Sequence, residues 1–439
     1  MNTQDTSPSK TMRPFLVLWS GQAVSLLGSQ LVQFALIWWL TQETGSATVL
    51  AMASLIGLLP QVILGPFVGV LVDRWNRRLT MLLADSLVAA ATLALAYLFS
   101  TGAVEIWHIY LLLFVRSLGG AFHWPAMMAS TTLMVPEEHL TRIQGLNQML
   151  NGGMNIASAP LGALLLALLP LQGILAIDVV TALFAIVPLL FIYVPQPQKN
   201  GQSEAEEAPT SSYWTDLREG LRYVLDRKAL LMLMLMAMLV NLLLTPTFAF
   251  MPLLITDHFS GTAWHLGAID AAAGIGMLVG GFVLSLWGGF KRRILTTLIG
   301  LLCLGLSLVF LGLIPANLFI LAVAVAVVAG FTIPMIDGPI MAILQAIVAP
   351  DMQGRVFTLL GSLSKGMTPL GLMIAGPVAD IIGVRSWFVM GGLVTAVLAI
   401  ASFLMSPVLH IEDGAHQPVP QSDDQPLATM PASSQVPGA

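Results

Sequence analysis

Residues 69–78 read GVLVDRWNRR. Gly69 and Leu71 close a long apolar stretch, and Asp73, Arg74, Arg77 and Arg78 then crowd a turn around Trp75 and Asn76. The pattern returns later in the chain. Gly280 and Gly281 close another apolar stretch, and Lys291, Arg292 and Arg293 follow, with Arg293 lying 215 positions after Arg78. A charged turn set between two greasy segments, at the same place in each half, points to a duplicated chain that crosses a membrane many times. The pattern has nothing in common with a soluble enzyme.

Composition agrees with that reading. Of the 439 residues, 56% are hydrophobic and only 9% are charged, against roughly 25% charged in an average soluble domain. So few charges cannot cover a water-facing surface, so lipid has to be the solvent on most sides. The formal net charge of −5 says little about partners, because the charges sit in loops and tails, and no basic tract calls for a nucleic acid. Cys303, the only cysteine, excludes a disulfide framework and a cysteine-based metal site.

A span of about 30 Å of hydrocarbon needs roughly 20 apolar residues. Twelve such runs are present, at 14–40, 47–72, 79–101, 106–134, 146–169, 172–194, 229–252, 264–288, 294–314, 316–348, 355–382 and 386–408. The first is too long and too polar for a cleavable leader, since it carries Gln22, Gln30 and Gln33. If the amino terminus is cytoplasmic, fifteen of the 18 Lys and Arg fall on the cytoplasmic side: Lys10, Arg13, Arg74, Arg77, Arg78, Arg142, Lys199, Arg218, Arg222, Arg227, Lys228, Lys291, Arg292, Arg293 and Arg355. Arg385 falls opposite, and Arg116 and Lys365 fall within runs. The positive-inside rule predicts this bias, and it places both termini in the cytoplasm.

The expected organisation is a cytoplasmic tail (1–13), a six-helix bundle (14–194), a cytoplasmic linker (195–228), a second six-helix bundle (229–408) and a disordered tail (409–439). Residues 195–212 are polar, Pro-rich and acidic, as in a flexible linker. Residues 213–228 read as an amphipathic helix with Trp214, Leu217, Leu221 and Leu225 on one face, suited to an anionic membrane surface. The halves echo each other. Pro125 and Pro136 are spaced like Pro339 and Pro350, and Ala159-Pro160-Leu161-Gly162 is matched by Thr368-Pro369-Leu370-Gly371. Parallel repeats of this kind place a substrate cavity between two pseudo-symmetric bundles that rock about it.

The turn GVLVDRWNRR resembles the loop signature of the major facilitator superfamily, G-x-L-a-D-r-x-G-r-k/r. Gly69, Leu71, Asp73, Arg74, Arg77 and Arg78 match it, and Asn76 stands where glycine is usual. Asn also visits left-handed turns, so the change is tolerable. Arg116 with Gly120 resembles the R-x-x-x-G signature of the fourth helix, while Ala159-Pro160 stands where a drug-antiporter Gly-Pro is expected. Within the superfamily the chain resembles the macrolide-efflux branch. The resemblance is nearly continuous over WSGQAVSLLGSQLVQFALIWWLTQETGSATVLAMASLIGLLPQVILGPFVGVLVDR. It is also carried by RSLGGAFHWPAM, MVPEEHLT, AIDVV and GRVFTLLGSLS.

The resemblance implies a secondary transporter in a bacterial inner membrane, working as a monomer without a cofactor and exporting bulky lipophilic drugs, macrolides first, against protons. Related exporters carry siderophores, so a siderophore or other secreted metabolite is the alternative cargo, and a lipid translocase of the same fold is another. It also implies a gating role for Gly69, Asp73, Arg74, Arg77, Arg78, Arg116 and Gly120. Topology alone would also explain the basic loop. No G-x-x-x-x-G-K-[ST] loop is present, so ATP is not the direct drive. The proton gradient is the expected energy source, although the first run lacks the carboxylate common in proton-driven drug exporters.

Ionisable residues inside the runs are candidates for function, because an unpaired charge in lipid is costly. Arg116 and His123 are seven apart and face the same way on a helix. His123 is either a proton carrier or a histidine bonded to a neighbouring helix. Asp337 and Lys365 fall near the middle of their runs and read as an ion pair, or Asp337 is itself a protonatable coupling site. Asp178 is expected near the outer surface, for packing, capping or proton transfer, and Asp85 is expected to support the basic loop. Polar candidates for the cavity wall are Gln22, Gln30 and Gln33 in the first run, Asn151 and Asn155 in the fifth, and Asn241 in the seventh. The alternating methionines Met232, Met234, Met236 and Met238 spread around a helix, so most belong to core or lipid contacts.

Overall fold

In a computed structural model of the chain, residues 12–196, 213–349, 352–404, 406–409 and 411–412 are described. The expected N-terminal tail, most of the acidic linker and the C-terminal tail lie outside them, apart from their edges. Every regular element among these residues is helical. The first half holds α1 (Met12–Thr44), α2 (Ala47–Arg74), α3 (Arg77–Thr101), α4 (Ile106–Met134), α5 (Glu137–Leu168) and α6 (Leu171–Phe191). The linker helix is α7 (Tyr213–Leu225). The second half holds α8 (Lys228–Ala249), a short α9 (Met251–Leu253) running into a π turn (Leu254–His258), α10 (Ala263–Trp287), α11 (Arg293–Leu313), α12 (Phe319–Ile347), α13 (Gln353–Ile382) and α14 (Val384–Leu404). A last turn, α15, covers Ser406–Leu409.

Local chemistry sets several boundaries. Ser46 caps α2, its hydroxyl accepting the Val49 amide at 3.3 Å. Gly102 and Gly288 take the left-handed conformation that ends α3 and α10. Two expected boundaries move. Helix α5 starts at Glu137 rather than near residue 146, because Pro136 and the two glutamates suit a helix N-terminus. The seventh run stops at Ala249, where Pro246 and Pro252 bracket the break. Asn76 does not form a left-handed turn. Its φ is −71° and it is the N-cap of α3, its Oδ1 accepting the Leu79 amide at 3.1 Å. Capping explains the tolerance of asparagine in place of glycine.

Among the described residues, ten helices are long and apolar enough by themselves to cross a membrane. Helices α4 and α13 are not among them, although each has at least 29 residues. Their polar content accounts for it: α4 carries His108, Arg116 and His123, and α13 carries Arg355, Lys365 and Asp380.

The halves are related by a pseudo-two-fold. In the first, α2 packs on α4, α3 on α4 and α6, and α1 on α5 and α6. In the second, α10 packs on α12, α11 on α12 and α14, and α8 on α13 and α14. The sequence echo occupies equivalent places: Gly162 of α5 lies against Phe34 of α1, and Gly371 of α13 lies against Leu242 of α8. The halves meet through α5 with α10 and through α2 with α13, and the two-fold exchanges these two pairs.

The core shows which end of this assembly is closed. At the end away from the basic turns, one continuous cluster joins both halves, from Leu36, Leu50 and Ile174 to Leu266, Leu308 and Phe388. At the basic end the core is split in two. One cluster, around Phe15, Met81 and Ile143, belongs to the first half, and the other, around Leu230, Leu298 and Val356, belongs to the second. The bundle is sealed at one end and parted at the other.

The linker helix docks on the second half through a face beside the predicted stripe. Val224 is fully buried there, while Leu221 and Leu225 are exposed. The side chains of Trp214 and Leu217 lie outside the description. Tyr223 Oη accepts the Ala349 amide at 3.1 Å, and Glu219 pairs with Arg355 at 2.6 Å. The start of α13 therefore packs on the side of α7 that carries Gly220, Tyr223 and Val224, and the edge carrying Leu221 and Leu225 stays uncovered.

Candidate functional site

A cavity of about 730 Å³ lies between the halves, walled mainly by the first and closed off by Thr245 and Ala249 of α8. Helix α1 contributes a polar stripe at helical spacing, with Gln22, Ser25, Ser29, Gln30 and Gln33 all on the wall. Ser54 and Gln61 of α2 face it too, and Asn147 of α5 is held there by the Trp19 indole N–H at 2.7 Å. Apolar groups fill the gaps, among them Leu26, Leu58, Met127 and Met128. A large, mostly apolar pocket with a few convergent polar groups is what a bulky amphipathic ligand requires.

Two charged clusters stand in this wall. In the first, Arg116 of α4 pairs with Asp178 of α6 at 2.9 Å, with side chains 11% and 3% exposed. The other Arg116 nitrogen donates to the Ser29 carbonyl at 2.8 Å. The Ser29 and Thr92 hydroxyls donate to the two Asp178 oxygens at 3.2 and 3.3 Å. Four helices (α1, α3, α4 and α6) are tied through one buried carboxylate whose oxygens are all satisfied. Asp178 is thus deep inside α6 rather than near the outer surface, because Arg116 offers it a partner there.

In the second cluster, Asp85 of α3 accepts the Gln22 amide at 3.0 Å. His123 Nε2 lies 3.4 Å from the other Asp85 oxygen, without hydrogen-bond alignment, and it has no other hydrogen-bond partner. Asp85 therefore belongs to the cavity wall and not to the basic loop. Its position two turns into α3 carries it past the loop to the level of Gln22. Arg116 and His123 do share a face, as their spacing of seven requires.

The remaining candidates are more scattered. Asn151 and Asn155 are exposed on α5 and Asn241 turns its amide to the Ala237 carbonyl, and none of the three is on the cavity wall. Asp337 and Lys365 are both exposed, and no ion pair between them occurs among the described residues. They sit on α12 and α13, which barely touch, so the pairing read from sequence is not formed in this conformation. A Cβ on Gly120 would make only ordinary contact with Gln61, whereas its neighbour Gly119 makes the close approach, to Val88 of α3.

In the signature turn, Arg77 is buried and donates to the Ala129 carbonyl at 2.8 Å, and its backbone amide donates to the Gln196 side chain. Arg78 donates to the carbonyls of Leu189 and Leu190. Both arginines thus strap the ends of α4 and α6 to α3. Arg74 is exposed. Gly69 and Asp73 lie within α2, near its C-terminal end.

Asp270 escaped the sequence reading, as did Asp380 of the eleventh run. Asp270 sits inside α10, between Gly267 and Gly274, which close on Ala159 and Ile156 of α5. No hydrogen bond or ion pair of Asp270 occurs among the described residues. A systematic search of the eighth run for charged residues would have found it.

Fold and cavity together define a multi-pass membrane transporter, not an enzyme. The family model described as Major Facilitator Superfamily matches residues 18–371, and the chain belongs to that superfamily. Within it the chain resembles the macrolide-efflux branch. It is 36% identical over 398 residues to macrolide efflux protein A of Streptococcus pyogenes, covering 91% of this chain and 97% of that protein. It is 27% identical over 422 residues to the multidrug efflux pump Tap of Mycolicibacterium fortuitum, covering 92% and 98%. Among solved structures, a bacterial homolog of the human lysosomal transporter Spinster, in an inward-facing and unoccupied conformation, superposes with a TM-score of 0.63. That match has 17% identity and covers 93% of this chain and 98% of that one.

Proposed function

We propose that this protein exports bulky lipophilic drugs, macrolides first, by proton antiport with alternating access, as a monomer in a bacterial inner membrane. The observation that carries the reading is the core that is whole at one end and split at the other, around a cavity of about 730 Å³. That geometry is one state of a rocking pair of bundles, and the volume lies within the roughly 300–1,000 Å³ of ordinary ligand pockets. Helices α1–α6, α8 and α10–α14 are the twelve spans, with α4 and α13 held in the membrane by their neighbours despite their polar residues. The basic end is cytoplasmic by the positive-inside rule, so both termini are cytoplasmic and the cavity opens inward. The macrolide-efflux relatives support the cargo class.

An anionic siderophore fits this wall less well, because Arg116 is already neutralised by Asp178. A proton entering down its pH gradient supplies the drive, and a membrane potential adds roughly 2.3 kcal/mol per 100 mV only for each net charge carried inward. The test is retention of a radiolabelled 14-membered macrolide in cells expressing the protein, with and without a protonophore. Retention should fall on expression and recover with the protonophore. Unchanged retention with the protein present in the membrane overturns the reading and moves the cargo to a secreted metabolite.

A further inference from the structure

The two carboxylates of the cavity are not equivalent. Asp178 is satisfied on both oxygens by Arg116, Ser29 and Thr92, and nothing is left for a ligand to offer it. Asp85 has a neutral amide on one oxygen and a misaligned imidazole near the other. Its side chain is 14% exposed and that of His123 is 19% exposed, so the cavity reaches both side chains, although His123 Nε2 itself is buried against Asp85.

Resting on the exporter reading, we propose that Asp85 is the one anionic seat for a cationic substrate, and that His123 holds the proton which the substrate's ammonium displaces.

The electrostatics follow from the residues that face this pair. Helix α6 contributes Asp178 and α4 contributes Arg116, which neutralise each other. Helices α1, α2 and α5 contribute no charged side chain to the wall, only neutral groups such as the amides of Gln22, Gln61 and Asn147. Toward the basic end, Arg77 of α3 is bound to the Ala129 carbonyl of α4. Asp85 is therefore the uncompensated charge of the wall, and it needs one positive partner in a partly desolvated site.

Protonated His123 is that partner when the cavity is empty. Histidine is the side chain whose charge ordinarily changes between about pH 5 and 8, so it can fill the role and leave it. When a protonated amine docks on Asp85, a second cation beside it is disfavoured, and the imidazolium gives up one proton through its exposed edge. The ammonium keeps its own proton. Asp85 has one positive partner throughout, and one positive charge moves each way per cycle. A substrate without a positive charge displaces nothing.

The experiment measures protons released on binding. Purified full-length protein in weakly buffered detergent solution receives a 14-membered macrolide bearing a dimethylamino sugar, and a pH-indicator dye reads the release at several values between about pH 5 and 8. The proposal expects close to one proton per macrolide bound at the acid end, falling toward zero as the pH rises and His123 loses its proton. The same macrolide with its amine acylated should release none from the unaltered protein, a comparison that needs no substitution. His123→Gln should still bind the amine form but release no proton. Asp85→Asn should bind it at least tenfold more weakly and lose the preference for the amine form over the acylated one.

Equal release by the amine and acylated forms overturns the proposal, as does undiminished release from His123→Gln. If the unaltered protein binds no macrolide, the exporter reading fails instead. If it binds and exports the drug without this proton release, only the proposal fails.

Discussion

Asp380, at the end of α13, caps Ala47 at the start of α2: its carboxylate accepts the Ala47 amide at 2.6 Å across the boundary between the two halves. The same carboxylate accepts the Thr48 amide at 3.1 Å and the Ser46 hydroxyl at 3.0 Å. A helix N-terminus in one half is thus completed by an acid from the other. Opening this end of the bundle would uncap α2.

The latch predicts the effect of its removal. Asp380→Ala leaves two α2 amides without their acceptor, and loss of a capping carboxylate costs about 1 kcal/mol. That is roughly a fivefold shift in favour of the conformation open at this end. Ser54→Cys, on the cavity wall, in a Cys303→Ser background reports it. An impermeant thiol reagent added outside the cell should label that cysteine several-fold faster when Asp380 is replaced. Equal labelling rates would show that the apolar core alone holds this end shut.

The buried pair of Arg116 and Asp178 predicts strong non-additivity. Removing one partner of a buried ion pair costs about 3–5 kcal/mol, while replacing both is often nearly neutral. Arg116→Met and Asp178→Asn should each lower the thermal unfolding temperature in detergent markedly. The double variant should recover more than half of the loss of either one. Additive losses would mean that the two side chains act separately.

The fold was legible in the sequence because its determinants are local. Runs of apolar residues and the basic turns on one side gave the membrane class. The spacing shared by Gly162 and Gly371 gave the repeat, which the structure places against α1 and α8. The site was legible only in part. The stripe Gln22, Gln30 and Gln33 and the Arg116–His123 face follow from helical period. What joins Asp85 to His123, or Asp178 to Arg116, is the packing of separate helices, and no spacing within one helix encodes it. Asp337 and Lys365 show the converse error, since equal depth in two helices does not bring those helices into contact.

Close packing within the second half predicts a steep size limit. A Cβ on Gly330 of α12 would lie on the Ala273 carbonyl of α10, and one on Gly276 would meet the Val327 carbonyl. Small residues let membrane helices approach in this way, and a methyl group here has to push backbones apart. Gly330→Ala should cost on the order of 1–3 kcal/mol and lower the yield of folded protein on size-exclusion chromatography. Gly145→Ala, which has open space around it, should leave the yield unchanged. Equal yields from the two variants would mean that α10 and α12 separate more readily than their contact implies.

The docking of α7 can be broken without touching the cavity. Val224 is fully buried in the core that α7 shares with α8, α11 and α13. A carboxylate in that apolar core would lose several kcal/mol of hydration. Val224→Asp should therefore release α7, since a short helix at the rim costs less to undock than a bundle costs to unfold. Tyr223→Phe, which removes only the bond to the Ala349 amide, should weaken the dock by about 1 kcal/mol. Limited proteolysis of sealed inside-out vesicles separates the cases. Cleavage within residues 213–228 should be fast in Val224→Asp, slower in Tyr223→Phe and slowest in the unaltered protein. If Val224→Asp instead exposes sites throughout the second half, α7 is a structural part of that bundle and not a strap laid across it.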